Sequence, residues 1–242
     1  HDVWPEQGMK LTVSKDSLAR LADGVVEAQR RGFRLAASLA QGVDWTDADA
    51  ELYLTQLRSL AATYLDSPEL VPINLLTRSL HGLAAPSPRQ KQFCGTGTHM
   101  CTYDVDGRTY GCHMFAPIVL GEARALELAR IDWTSRTIAE DARCTTCLLK
   151  DYCPTCMGFN YRFRGSLAAR DSRWCRMVLA EAIASCEFQI RVLASRRDSL
   201  NEDEAKHGQS ALDAYPLLSA LSIPGSSAPF SSDSRPIVEV NT

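Results

Sequence analysis

The chain has 242 residues, 45% hydrophobic and 23% charged, enough to bury an ordinary core in one large domain or two small ones. A net charge of −3 offers no global attraction for nucleic acid or an anionic membrane, and no uninterrupted apolar run approaches the roughly 18 residues that a membrane span requires. All nine cysteines lie between Cys94 and Cys186; with no secretory signal read at the start, the expectation is a reducing cytoplasm and metal ligation rather than a disulfide framework.

In chain order, residues 14–31 read as an amphipathic helix: Ser14 caps it, Leu18, Leu21, Val25 and Val26 recur at helical spacing, and Gly32 stops it. Alternation over Phe33–Leu39 predicts a strand. Thr46, with Asp49 three residues on, opens a second helix carrying Leu52, Leu54, Leu57, Leu60, Ala61 and Tyr64, which ends at Asp66-Ser67-Pro68. A third apolar patch covers residues 71–76. One or two α/β repeats of this kind are too few to close an eight-stranded barrel, so the sheet is small and open or the chain is the tail of a larger one, and His1 in place of methionine favours the second. Ala84–Gln92 is a polar connector, residues 176–197 return to a helical pattern, and the Ser-, Pro- and acid-rich stretch from 198 reads as a largely disordered tail with a short helix around 211–221.

The cysteines carry the chemistry. Cys144-x2-Cys147-x5-Cys153-x2-Cys156 packs four thiols into 13 residues, and four soft sulfur ligands select zinc or an iron–sulfur cluster without the spacing choosing between them. Upstream, Cys101 to Cys112 is two β-prone runs joined by Asp106-Gly107, a two-residue hairpin signal. That loop predicts Val105 opposite Arg108, Tyr103 opposite Tyr110 and Cys101 opposite Cys112, a thiol pair able to share a metal cluster or to form a cross-strand disulfide. Cys94 and Cys175 complete two sets of four, leaving Cys186 as a buried, inert thiol on the C-terminal helix.

The pattern Cys94-x12-Gly107-x4-Cys112, then Cys144-x2-Cys147-x5-Cys153-x2-Cys156, then Cys175 resembles the seven-cysteine signature of SPASM domains, the auxiliary-cluster modules of radical S-adenosylmethionine (SAM) maturases that modify peptides or proteins. The phrases Tyr110-Gly-Cys-His-Met-Phe115 and Asp151-Tyr-Cys-Pro-Thr-Cys-Met-Gly-Phe-Asn-Tyr161 are similar to that family, and the x2 spacing between Cys153 and Cys156 departs from the x3 of many members. Residues before Cys94 resemble the end of the family's partial barrel, most recognisably at Gly42-Val43-Asp44-Trp45.

The resemblance implies an α/β segment, the end of a partial TIM-like barrel, over 1–90. A small cysteine-rich α+β SPASM-type domain with a β-hairpin and a C-terminal packing helix follows over 91–197, then the tail over 198–242. It further implies two [4Fe–4S] clusters with interleaved ligands: Cys144, Cys147, Cys153 and Cys175 on one, Cys94, Cys112 and Cys156 on the other, with Cys101 as the eighth ligand. The C-x3-C-x2-C loop that binds the SAM-cleaving cluster is absent from this chain, so SAM enters only through a missing N-terminal half or a separate SAM-binding chain, and no radical-generating residue is named. The expected role is electron relay and shaping of a pocket for a peptide or protein substrate. A zinc-binding interaction module without catalysis is the rival. His99 and His113 receive no ligand assignment. Seven Arg or Lys against two Asp over 143–176 are read as offsetting cluster charge rather than binding nucleic acid.

Overall fold

The computed structural model describes residues 8–85, 94–133, 135–196 and 200–221. It divides the chain into two units, one of His1–Pro86 with Arg173–Thr242 and the other of Ser87–Ser172.

A strand that the sequence reading did not include opens the first unit: β1 (Gly8–Val13), in which Met9, Leu11 and Val13 alternate with Lys10 and Thr12. The helix expected over 14–31 starts later, because the Ser17 N–H donates to Ser14 O and a 3₁₀ turn follows at Leu18–Arg20. Helix α1 (Leu21–Arg30) buries Leu21, Ala22 and Val25. Gly32, at φ 87°, takes the left-handed conformation that turns the chain back. Strand β2 (Arg34–Leu39) then runs parallel to β1, from Gly8↔Arg34 to Val13↔Leu39, giving a β-α-β unit.

Helix α2 (Asp47–Asp66) carries the expected capping box: Thr46 Oγ1 accepts from Asp49 N, and the Asp49 carboxylate accepts from Thr46 N. The apolar patch at 71–76 yields only a short helix, α3 (Asn74–Thr77), whose leading side chain acts on the sheet. Asn74 Oδ1 accepts from Ala37 N at 2.7 Å and Nδ2 donates to Ala37 O at 2.9 Å, pairing with β2 as a neighbouring strand would. A further turn of helix, α4 (His81–Ala84), follows.

Helix α8 (Trp174–Arg196; α5–α7 belong to the second unit) is buried almost without break from Met177 to Ile190, so it is a central helix with no wet face over that stretch. It packs against α2, α3 and α9 (Glu202–Ser219). Several polar groups inside this packing are matched: Tyr53 Oη donates to Glu181 at 2.9 Å, Arg78 pairs with Glu181, Arg58 forks onto Glu187, and Ser185 and Gln189 both donate to Leu76 O.

Two boundaries therefore move. Helix α8, expected as the packing helix of the cysteine module, groups with the first unit. The stretch after 198, expected to be largely disordered, contains α9, an 18-residue helix with a capping box between Asn201 and Glu204. Its acidic first turn and the internal Pro216 hide a narrow apolar stripe, Ala211, Ala214 and Leu218. Gly208 lets it approach Leu193 of α8, where a Cβ would stand 2.9 Å from Leu193 Cβ. The expected disordered end over 222–242 and most of the 84–92 connector lie outside the described residues. No described helix is long and apolar enough to cross a membrane.

The second unit has little regular structure. A two-stranded antiparallel hairpin, β3 (Thr102–Tyr103) and β4 (Thr109–Tyr110), is followed by a 3₁₀ turn at His113–Phe115, α5 (Pro117–Leu120), α6 (Glu122–Ala129), 3₁₀ turns at Arg136–Ala139 and Ala142–Cys144, and α7 (Met157–Arg164). Tyr110, Cys112, Phe115, Ala125, Leu128 and Met157 form its core.

Candidate metal centres

The hairpin forms, but one residue out of the expected register. Thr102 faces Tyr110 and Tyr103 faces Thr109, so the loop is the three residues Val105–Gly107 rather than Asp106-Gly107. Asp104 is the cause: its Oδ1 accepts from the N–H groups of Asp106 and Arg108, and its Oδ2 from Tyr110 Oη at 3.0 Å. Gly107 supplies the left-handed residue at φ 77° that closes this longer loop. A one-residue slip sends side chains to opposite faces. Cys112 shares the buried face with Tyr110, whereas Cys101 is exposed beside Tyr103, whose pKa it pushes up. The pairing of Cys101 with Cys112 is corrected accordingly, and the hairpin lends Cys101 no support as a partner of that thiol.

Cys94 opens a tight loop in which Gly95 O accepts from the N–H groups of Thr98, His99 and Met100. The Cys94 Sγ lies 2.9 Å from the buried Thr96 hydroxyl. Gly97 N donates to Gly111 O at 3.0 Å, tying this loop to the strand that delivers Cys112. The indole of Trp133 covers both glycines: a Cβ would stand 2.2 Å from the ring at Gly97 and 2.9 Å at Gly111, and Gly97 is at φ 69° besides. On the core side the same indole stacks on Phe115, centroids 5.2 Å apart. Trp133 thus holds the Cys94 loop and the Cys112 strand in one layer.

Cys156 arrives from the other end of the unit as the residue preceding α7. Gly158 lets α7 close on the turn after Cys112, since a Cβ there would lie 2.4 Å from Met114 Cβ. The Cys156 thiol pKa is raised by burial first and then by the neighbouring Cys112 and Cys94 sulfurs; the backbone N–H groups of Phe159 and Gly158 act the other way. Cys156 is thereby brought within electrostatic reach of thiols 44 and 62 residues before it in sequence. None of the nine cysteines, all of them among the described residues, is in a disulfide. As placed, no group of three or more Cys, His, Asp or Glu among the described residues is gathered tightly enough to hold a single metal ion.

Cys144, Cys147 and Cys153 occupy consecutive tight turns, with Cys147 N donating to Cys144 O, Lys150 N to Cys147 O and Cys153 N to Leu149 O. All three are half-buried. The turns are braced by groups the sequence reading did not single out. Buried Asp141 accepts from Arg143 N, Nε and Nη2 and from Arg170 N. The Arg143 guanidinium holds its carboxyl far below the usual carboxylate range. Arg170 is itself buried, and its Nη1 donates to the carbonyls of Lys150 and Cys153 at 3.3 and 3.4 Å. Cys175, the remaining member of this expected set, is the second residue of α8 in the first unit.

The other candidates resolve individually. His113 lies beside Cys112, Nδ1 to Sγ 3.7 Å, and both His113 and His99 are exposed. Arg164, in the alternating aromatic–basic stretch, turns inward onto Asn160, Ala169 and Asp171 instead of presenting a cationic face. Cys186 is buried between α8 and α9, donates to Ala211 O at 3.2 Å, and its pKa is pushed up to about 12 by burial. The glycines at 97, 111 and 158 were the available signal for the close approaches around Cys94, Cys112 and Cys156; Asp141 and Arg170 had none, because their partners lie up to 29 residues away. Comparison with protein-family models, with curated proteins and with solved structures finds no match to this chain.

Proposed function

We propose that this chain is the auxiliary-cluster portion of a radical SAM enzyme that modifies a peptide or protein. One observation carries the reading: the Cys156 thiol feels the Cys112 and Cys94 sulfurs, although its nearest cysteine neighbours in sequence are Cys153 and Cys147. A local four-thiol zinc site would use the C-x2-C-x5-C-x2-C run as a unit, whereas the SPASM resemblance separates Cys156 from it. The residues suit an anionic sulfur-ligated centre. The backbone N–H groups of Phe159 and Gly158 at the start of α7 lower the Cys156 thiol pKa, the kind of backbone influence that tunes iron–sulfur ligands, and buried Arg170 stands at the second set of turns. The β1-α1-β2 unit with α2 following is in keeping with the end of an α/β barrel.

On this reading Cys94, Cys112 and Cys156 hold one cluster, and Cys144, Cys147, Cys153 and Cys175 the other. Bound clusters supply one-electron transfer to the radical reaction, whose SAM-binding part lies on another segment or a separate chain. The chain's own residues do the rest. Trp133, Phe115 and Met157 keep water from the Cys112 side, while Gly97, Gly111 and Gly158 admit the close backbone approach that brings the thiols together.

The test is iron, zinc and acid-labile sulfide content on protein purified without oxygen, first as it stands and then with single Cys→Ser changes. About eight irons and eight sulfides per chain are expected. Cys156→Ser and Cys112→Ser should each remove the same roughly four irons and the same spectral component, and Cys147→Ser the other four. Stoichiometric zinc in a colourless protein would leave a structural binding module instead. Cys156→Ser behaving like Cys147→Ser and unlike Cys112→Ser would overturn the ligand division.

A further inference from the structure

Arg170 is a buried cation that its protein surroundings only half satisfy. The residue is 5% exposed, Nη1 donates to the carbonyl oxygens of Lys150 and Cys153, and its backbone N–H is fixed by Asp141. Nε and Nη2 are buried with no hydrogen-bond partner among the described residues. Asp141, the carboxylate that fixes the Arg170 backbone, spends its side-chain oxygens on Arg143 and on that backbone N–H. A buried guanidinium with two unused donors is costly unless something negative completes it.

Its position narrows what that something is. The guanidinium touches the carbonyl of Cys153, while the main chain at Arg170 is bonded to Asp141 and Arg143, whose segment leads directly into Cys144. Arg170 therefore links the Cys144–Cys147 turns to the Cys153 turn. The fork is rigid and always charged, suited to donating two N–H bonds to acceptors on one side of it.

We propose that Arg170 is the charge partner and N–H donor of the anionic centre held by Cys144, Cys147 and Cys153, its Nε–H and Nη2–H donating to sulfur atoms of that centre. The inference rests on the cluster reading above and adds to it a positioning residue that sets the reduction potential. One-electron reduction, with dithionite as the electron source, makes a thiolate-bound cluster one charge more negative, so an adjacent cation stabilises the reduced form more than the oxidised form.

The experiment is a potentiometric titration followed by electron paramagnetic resonance, in a Cys156→Ser background that leaves this centre alone. Arg170→Gln is expected to lower the reduction equilibrium constant on the order of tenfold, which is about 59 mV for one electron, while Arg170→Lys keeps most of the original potential. In the unsubstituted chain grown with ¹⁵N-arginine, pulsed resonance of the reduced centre is expected to show a ¹⁵N coupling that Arg170→Lys removes; this measurement decides the matter even where Arg170→Gln does not fold. An unchanged potential in Arg170→Gln, or exchangeable-proton couplings without any ¹⁵N coupling, would overturn the assignment and leave water as the partner of these donors. Zinc in place of iron in the unsubstituted protein would instead remove the cluster reading on which it stands.

Discussion

The layer formed by Trp133 over Gly97 and Gly111 makes the most quantitative prediction, because the two glycines separate two physical effects. Gly111→Ala introduces only a clash, its Cβ 2.9 Å from the indole, and overpacking of this kind costs about 1–3 kcal/mol. Gly97→Ala adds a left-handed backbone at φ 69° to a closer clash of 2.2 Å, so about 1–2 kcal/mol of conformational cost joins the same clash, for a total of about 2–5 kcal/mol. Removing the ring by Trp133→Ala costs about 3 kcal/mol by itself, the low end for a large aromatic since the ring is half-buried. In that background Gly111→Ala should cost nearly nothing and Gly97→Ala only its ~1–2 kcal/mol backbone share. Urea unfolding followed by circular dichroism under anaerobic conditions, on the unsubstituted chain, the three single variants and the two glycine–tryptophan doubles, measures the coupling. If Gly111→Ala is as destabilising without the indole as with it, Trp133 is not what fills the space over the Cys94 loop and the Cys112 strand.

Two further outcomes test the packing around the sites. Cys186 should resist iodoacetamide at neutral pH in the native protein, because burial pushes its pKa up to about 12; its contribution to stability is present below the unfolded-state value of about 8.5 and fades as pH rises above it. Cys186→Ala should leave the iron content unchanged, and loss of iron on that substitution would contradict its exclusion from the ligand set. Asp141 is depressed by the Arg143 guanidinium, so its stabilisation is complete above the unfolded carboxylate value of about 4 and is lost as pH falls toward the lower folded value. Asp141→Asn should cost about 2 kcal/mol at neutral pH, in the range of a charge-assisted hydrogen bond, and should flatten the acid limb of the stability profile; an acid limb identical to that of the unsubstituted chain counts against the network.

Local features were legible from the residues alone. The Thr46–Asp49 cap, the alternation over Phe33–Leu39 and the buried character of Cys186 each depend on neighbours within a few positions, and each has its structural counterpart. The grouping of Cys94, Cys112 and Cys156 was available only through resemblance to a known pattern, since no short-range rule unites residues that far apart. Asp106-Gly107 announced a hairpin correctly but misled on its register: the side chain of Asp104 pays for one more loop residue with two backbone hydrogen bonds, and that choice alone sends Cys101 to the outer face.

What tertiary structure decided is wherever a helix or side chain met partners distant in sequence. Helix α8 is predominantly apolar from Met177 to Ile190, a pattern that says it is buried without saying by what, and its partners α2 and α3 lie more than 90 residues upstream. The stripe on α9 is too narrow to stand out against its acidic first turn and Pro216 until α8 is there to cover it. The Trp133 layer and the Arg170 donors follow the same logic: the sequence determines which groups can bend, stack or carry charge, whereas only the folded chain determines which of them touch, because burial is shared between segments that no local pattern couples.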